Sequence, residues 1–560
     1  MVLGSRASAA PLTCDALSGV AIPKSAIGLP TSGATVTSAT LVPASGSGPT
    51  MVAEYCKVLL AIHPVDPTAP SIVTQVNLPT AWNGKALMFG GGGYDGVFSN
   101  NGSGGSANYF NGPIDQPSPL AQGYATFASD SGHQANGLGS QDGSFGLKAE
   151  AFQNYSGNAL KKVHDVAVHL INLRYGTGPS KTYFVGGSSG GRETLWVVQN
   201  TPHDFDGAIA MYPAWNAATL NLAFGRVVRA LARPDAYPND AKKLVWMHAV
   251  LEKCDALDGV ADGLISNVKA CNFDPRTVRC PGGADTGDTC LSDAQIAAIQ
   301  LYASEFVLGY PSGSGETSYP GFNVMRGADL TGSLDMNITQ PTDALMTTDQ
   351  ATAAACNPTP GPCPYKTMPY FAVFWDQWVK YFVTGDPTFD SLLLDPQHPG
   401  PYQHRIADLT AIQDVNRTDL SAFERKGGKL ILMHGLADGL VSTNATIDYY
   451  RRLQAAMGNP TVKSFVRFYT IPGLGHVLGA PSRGDPTNSG FYAAWNPLAA
   501  LEAWVEKGVA PGTLLATDAA GPHRGRTRPV CQYPGWPHYL GSGDVNSAAS
   551  FTCTASGDGD

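Results

Sequence analysis

The stretch TYFVGGSSGGRE, residues 182–193, runs from β-branched and aromatic residues into glycines, and Arg192–Asn200 after it is helix-compatible. A serine between glycines at a strand-to-helix turn sits on strained backbone with its hydroxyl presented outward. Only small neighbours let the helix pass close to the strand there. Two frames fit Gly-x-Ser-x-Gly: Gly186-x-Ser188-x-Gly190 and Gly187-x-Ser189-x-Gly191. A plain glycine- and serine-rich turn is the competing reading, and the flanking strand and helix weigh against it.

Outward from this turn, KALMFGG (85–91) reads as a buried strand, and residues 147–176 as a helix carrying Leu147, Phe152, Leu160, Val163, Val166, Ala167 and Leu170 on one face. Lys429–His434 and Phe465–Ile471 read as further buried strands, with a helix over Asp448–Met457 between them. Strands alternating with helices predict an α/β fold with an open, mostly parallel sheet. From Trp215 to Asp414 the alternation fades into Gly, Pro, Asp and six of the ten cysteines. This predicts a discontinuous core, 1–214 and 415–560, interrupted by an inserted lid domain at 215–414.

A serine becomes a nucleophile when an imidazole takes its proton and a carboxylate orients that imidazole. After a strand–turn–helix serine the expected chain order is acid, then histidine. LILMHGLADGLV (430–441) ends a strand with Asp438 in a short loop, and IPGLGHV (471–477) ends the next with His476 among small residues. His434, inside its strand end, reads as a support for the acid loop. Oxyanion donors are expected from the amide of Ser189 and from Gly93 in FGGGGYDG (89–96). A phosphate loop is rejected because no Lys-Ser/Thr follows these glycines.

The chain has 560 residues, 36 Lys+Arg against 45 Asp+Glu, and only 14% charged residues. Its acidic balance offers no basic footprint for nucleic acid, and no apolar run is long enough to span a membrane. The even cysteine count and local spacing suggest disulfides formed in an oxidising, secreted (extracellular or periplasmic) setting. Neighbour pairing gives Cys14–Cys56, Cys254–Cys271, Cys280–Cys290, Cys356–Cys363 and Cys531–Cys553, although sequence alone does not fix connectivity. The start, MVLGSRASAAPLT, has no apolar leader core, so a secretory leader is expected to have been removed or replaced. Sequons at Asn101, Asn154, Asn337, Asn416 and Asn444 permit glycosylation.

Taken together, WNGKALMFGGGGYDG (82–96), YFVGGSSGGRE (183–193), HDFDGAIA (203–210), CDALDGVADGLI (254–265), LMHGLADGLVS (432–442), IPGLGH (471–476) and the C-terminal RTRPVCQYPGWPHYLGSGDVNSAASFTC (526–553) resemble the tannase and feruloyl esterase family of α/β-hydrolases. The resemblance covers essentially the whole chain. It selects Ser188 over Ser189 as nucleophile, with Asp438 and His476, and implies a serine esterase acting on a small ester of a hydroxycinnamic, galloyl or related aromatic acid. It also implies a structural calcium ion held by the carboxylates of Asp255, Asp258 and Asp262 and the carbonyls of Val260 and Leu264. Three carboxylates so close repel one another unless a hard cation lies among them, and a solvated acidic turn is the bland alternative. No organic cofactor is expected. Trp215, Phe371, Phe374 and Trp375 match substrate-lining positions, although the last three also read as one face of an ordinary amphipathic helix. Where typical members carry a disulfide across the active site, this chain has Gly187 and Val477. A hydrolase of polyester-derived aromatic esters, terephthalate-type, is a further reading. Residues 366–386 contain no arginine to meet a free carboxylate there. A serine peptidase and a non-catalytic secreted binding module remain as other classes.

Overall fold

The computed structural model describes residues 10–48, 51–97, 116–330, 369–476 and 490–555. Its centre is a ten-stranded sheet. The strands are β1 (Ala21–Ile22), β2 (Gly33–Val42), β3 (Tyr55–His63), β4 (Ile72–Pro79), β5 (Lys85–Phe89), β6 (Ala125–Ser129), β7 (Lys181–Gly187), β8 (Gly207–Met211), β9 (Lys429–Gly435) and β10 (Val466–Ile471). They lie in the order β1-β2-β3-β4-β6-β5-β7-β8-β9-β10. From β6 to β10 every neighbour is parallel, whereas β1 to β4 form an antiparallel meander that joins β6 antiparallel. The sheet is therefore mixed, which corrects the expectation of a mostly parallel one. The meander strands follow one another with no α-helix between them, so the strand–helix alternation that marks the parallel half gave no sign of them.

Period-two alternation sorts the side chains of the parallel strands. Met88, Phe184, Ala208 and Leu432 enter one apolar cluster, and Leu87, Val185, Ile209 and Met433 enter another on the opposite face. The helices that define the two layers and the insertion are α1 (Ala159–Tyr175), α2 (Ser189–Asn200), α3 (Ala217–Leu231), α4 (Asp240–Cys254), α5 (Asp293–Ala303), α6 (Tyr370–Gln377), α7 (Gln403–Gln413), α8 (Thr443–Met457) and α9 (Pro497–Lys507). Leu160, Val163, Val166 and Leu170 of α1 pack into the first cluster, while Leu498 and Leu501 of α9 pack into the second. The helix expected over 147–176 is interrupted. A short helix at Ala149–Gln153 and a wide turn at Asn154–Asn158 precede α1, and Gly157 has φ 144°. A Cβ on Gly157 would meet the Trp196 indole at 2.2 Å, so the break lets that ring lie against the chain. Leu147 is exposed rather than core.

Between β8 and β9 the chain departs at Trp215 and returns at Val415, whose amide donates to the Trp215 carbonyl at 2.6 Å. Asn216 and Asp414 form an isolated antiparallel bridge at this neck. The Asp414 carboxylate accepts the Ala218 and Thr219 amides at 2.9 and 3.3 Å, the Thr219 hydroxyl at 2.6 Å and the Ser314 hydroxyl at 2.9 Å. It thereby satisfies the first amides of α3. The apolar residues of the insertion, among them Phe371, Trp375 and Trp378, run continuously into the sheet's own core.

Among the described residues four disulfides are formed: Cys14–Cys56, Cys254–Cys271, Cys280–Cys290 and Cys531–Cys553. Cys356, Cys363 and Val477 lie outside the described residues. Of the sequon asparagines, Asn154 is buried and bonded to Lys162, which leaves it unavailable to a glycan. Among the described residues no helix is long and apolar enough to cross a membrane.

Candidate active site

Three loops at the C-terminal ends of β7, β9 and β10 converge on one point, the usual place for chemistry in an open α/β sheet. Ser188 follows β7 with φ 59° and ψ −122°, and opens α2. Such a positive φ is costly for serine and persists only where the surroundings impose it. A Cβ on Gly186 would lie 2.2 Å from the Gly190 carbonyl oxygen, and one on Gly190 2.7 Å from that of Gly91. The glycines thus allow strand, helix and the β5 loop to meet.

His476 Nε2 lies 2.9 Å from Ser188 Oγ, and its Nδ1 lies 2.8 Å from Asp438 Oδ2. Because a carboxylate only accepts, Nδ1 carries the proton and Nε2 is left to accept from the serine. Asp438 is fully buried, and its Oδ1 accepts the Leu440 and Val441 amides at 2.8 and 2.9 Å. Burial opposes its ionisation, but the adjacent His476 and the hydrogen bonds from His434 and His476 outweigh it and hold the carboxyl below the ordinary range. His434 Nε2 sits 3.0 Å from the Val441 carbonyl, an acceptor, so that nitrogen carries the proton and also faces Asp438 Oδ2 at 3.1 Å. Its Nδ1 accepts from Thr446 at 2.8 Å. His434 thus ties strand β9, the acid loop and helix α8 together.

Gly93 and Ser189 line the same cavity as Ser188, which brings the expected oxyanion donors together. The amides of Gly90, Gly91, Gly92, Tyr94 and Asp95 are all donated within the protein. Among the described residues the Gly93 amide has no such acceptor. The Gly93 carbonyl is turned away by the Ser189 hydroxyl, which donates to it at 2.6 Å. Tyr212, which the sequence reading did not single out, is fully buried with φ 35°, and its ring centroid is 4.7 Å from that of His476. A Cβ on Gly187 would lie 2.6 Å from the Tyr212 hydroxyl oxygen. Glycine at 187 and tyrosine at 212 are therefore sterically matched, with the tyrosine ring occupying the space beside the nucleophile and its base. The signal lay in the pairing of β7 with β8, where Gly187 faces Met211.

The cavity, about 200 Å³, is walled by Tyr94, Tyr155, Leu220, Asn221, Phe224, Tyr370, Phe374, Leu440 and Val441. Of the four expected substrate residues only Phe374 is part of this wall. Trp215 is buried in the core instead, donating to the Ala445 carbonyl and packing against Tyr449, while the neighbouring Ala214 and Ala217 face the cavity. Phe371 packs on Phe224 and Tyr302, and the Trp375 indole donates to the Ser391 carbonyl. A helix presents only one narrow face to a cavity, and on α6 that face is Tyr370 and Phe374, one turn apart.

In the acidic loop, Asp255 accepts the amides of Asp262 and Gly263, and Asp258 those of Val260 and Ser266. Asp262 pairs with Arg528. Asp255 and Asp258 are buried, and among the described residues neither has a cationic side chain paired with it. Burial, with the neighbouring carboxylates adding to it, raises the pKa of Asp255 and pushes Asp258 up to about 7. Buried acids short of positive charge suit a hard cation, and their oxygens suit calcium. The carboxylates are nonetheless not drawn into one tight cluster. The only such cluster among the described residues is His164, Asp165 and Asp204, and there Lys161 already supplies the cation at 2.7 and 3.0 Å.

Residues 56–554 match the family described as tannase and feruloyl esterase. An uncharacterized esterase of Agrobacterium fabrum is 37% identical over 551 residues, covering 96% of this chain and 92% of that relative. A mono(2-hydroxyethyl) terephthalate hydrolase of Piscinibacter sakaiensis is 30% identical, covering 90% and 85%. The crystal structure of feruloyl esterase B from Aspergillus oryzae superposes with a TM-score of 0.72 at 23% identity, covering 97% of this chain and 99% of that one, which shows a shared α/β-hydrolase fold. The chain is a carboxylic ester hydrolase of the tannase and feruloyl esterase family.

Proposed function

We propose that this esterase is a secreted serine hydrolase that cleaves esters of aromatic acids through Ser188, His476 and Asp438. The observation carrying the reading is the continuous hydrogen-bond chain from Ser188 Oγ through both imidazole nitrogens to Asp438. His476 Nε2 takes the hydroxyl proton as Ser188 Oγ bonds to the ester carbonyl carbon. The resulting oxyanion is received by the amides of Gly93 and Ser189. Collapse expels the alcohol, which leaves with the proton held on Nε2. Water then attacks the acyl-enzyme, giving its proton to the same nitrogen, and the acid departs as Ser188 is restored. Asp438 stays ionised throughout and holds the imidazole tautomer.

Tyr370, Phe374, Phe224 and Leu220 give the cavity an aromatic and aliphatic wall, while Asn221, Tyr94 and Tyr155 add neutral polar groups. This lining supports a flat aromatic acyl group bearing hydroxyl substituents. The terephthalate-monoester relative supports a second reading, a polyester-derived aromatic ester. Against a free carboxylate on the substrate, the described wall contains no lysine or arginine. The segment 215–414 acts as the lid that supplies much of this wall. Calcium, held by Asp255, Asp258, Asp262 and the carbonyls of Val260 and Leu264, stabilises the lid base and takes no chemical step. Disulfides joining local segments support secretion.

The test is turnover of p-nitrophenyl esters by Ser188→Ala and Ser189→Ala, followed by a panel of methyl ferulate, methyl gallate and terephthalate esters. Ser188→Ala is expected to abolish turnover while remaining folded. Full activity in that variant, or loss in Ser189→Ala alone, overturns the assignment of the nucleophile. Preference for a matched amide over the esters points to a peptidase.

A further inference from the structure

Beneath the glycine loop lie two carboxyl groups that no step above uses. Asp95 follows the loop and Glu193 stands on α2, and both are about 1% exposed. Glu193 Oε2 accepts the Gly91 amide at 2.8 Å, and Asp95 Oδ1 accepts the Gly92 amide at 2.7 Å. Two consecutive amides are thus drawn inward, away from the cavity, leaving the Gly93 amide as the next one along. The loop lies close on this support, since a Cβ on Gly90 would be 2.8 Å from Glu193 Oε2. Asp95 holds φ 61°, a conformation that its surroundings must impose.

The two carboxyls also adjoin each other, and Asp95 Oδ2 is buried without a hydrogen-bond donor of its own among the described residues. Two adjoining carboxylates repel unless a proton lies between them. The charge balance agrees. Arg192 is buried beside the pair and donates to the Tyr155 and Ser156 carbonyls at 2.9 and 3.2 Å. One proton on the pair leaves a single negative charge against that guanidinium, whereas two ionised acids leave an uncompensated charge in a dry site. The other groups facing the pair are the Ser131 hydroxyl and Tyr155, whose phenol burial keeps neutral; His133, beside Gly96, is kept neutral by burial, which lowers it to about 3. Burial raises both carboxyls, most strongly Glu193, where the charge of Asp95 adds to it.

We infer that Asp95 and Glu193, bridged by a single proton, are positioning residues that hold the Gly90–Gly93 loop so that the Gly93 amide faces the developing oxyanion. The inference rests on the proposed role of Gly93. Its test compares kcat and KM for Glu193→Ala, Glu193→Gln and Ser188→Ala on a p-nitrophenyl ester, with the infrared carboxyl region recorded for the wild type and Glu193→Gln. Glu193→Ala should lose about 100-fold in kcat with KM little changed, the scale of a misplaced catalytic group. Glu193→Gln should rescue that loss, because its amide nitrogen donates to Asp95 where the shared proton did and its oxygen still accepts the Gly91 amide. The wild-type minus Glu193→Gln difference spectrum should show a protonated-carboxyl band lost in the variant, over the contribution that Asp258 and other buried acids make to both. Glu193→Ala with wild-type kcat, a folded Glu193→Gln as impaired as the alanine variant, or no loss of that band overturns the inference. If Glu193→Ala does not fold, Glu193→Gln and its spectrum decide. An active Ser188→Ala instead defeats the esterase mechanism itself, so the two failures are distinguishable.

Discussion

At the scale of single residues, the site depends on a few side chains whose partners leave no alternative protonation. Asp438 receives two amides and faces two imidazoles without contact with water. Asp438→Asn should cost about 10⁴-fold in kcat, because an amide can hold the wrong tautomer of His476. The same variant should flatten the acid limb of stability. The folded carboxyl has a lower pKa than the unfolded one, so the unfolded chain binds more protons and stability rises with pH. The contribution is complete above about pH 4, the unfolded value, and is lost as pH falls below it. Urea unfolding across pH checks this, and an unchanged acid limb would contradict it. Beside the nucleophile, Gly187→Ala should push against the Tyr212 ring and lower kcat about 10-fold through displacement of His476. In a Tyr212→Leu background the same change should cost much less, and kinetics on the double variant measure the difference. Asp438 and His476, the proposed acid and base, could be picked out in sequence because each follows a hydrophobic strand in the required order, and the structure brings them within hydrogen-bond distance. Tyr212 could not, since its proximity to Gly187 arises only when β7 and β8 pair.

Elements carry the site to its place. The parallel strands β5, β7, β9 and β10 could be read from continuous apolar runs, while β2 and β3, with their partly exposed alternate positions, gave no comparable signal. Helix periodicity predicted α1 yet missed the break at Gly157, which is made by Trp196 on another helix. On α6 the spacing of aromatics was visible, but which of them face the cavity depends on how the helix is rotated. At the neck of the insertion, Asp414→Ala would leave the first amides of α3 and the Thr219 and Ser314 hydroxyls without their acceptor. Chemical denaturation should show a loss of about 3 kcal/mol, as expected when several buried donors are orphaned. A variant as stable as the wild type would show that the neck holds without it.

Across the whole molecule, the segment between β8 and β9 shares one apolar core with the sheet, so the two are expected to unfold together. Composition announced where the chain changes character, but could not reveal this continuity, which depends on long-range packing. If calcium occupies the acidic loop, chelation should lower stability by about 2.7 kcal/mol relative to calcium at 100 times its Kd, and re-addition should restore it. Turnover by the folded fraction should stay unchanged, because the ion takes no part in the chemistry. The central claim, that Ser188 is the activated nucleophile, is tested most directly by peptide mass spectrometry after reaction with a fluorophosphonate. A single adduct on Ser188, abolished by His476→Ala, is the predicted result; an adduct on Ser189 or another residue, or none at all from active enzyme, would contradict it.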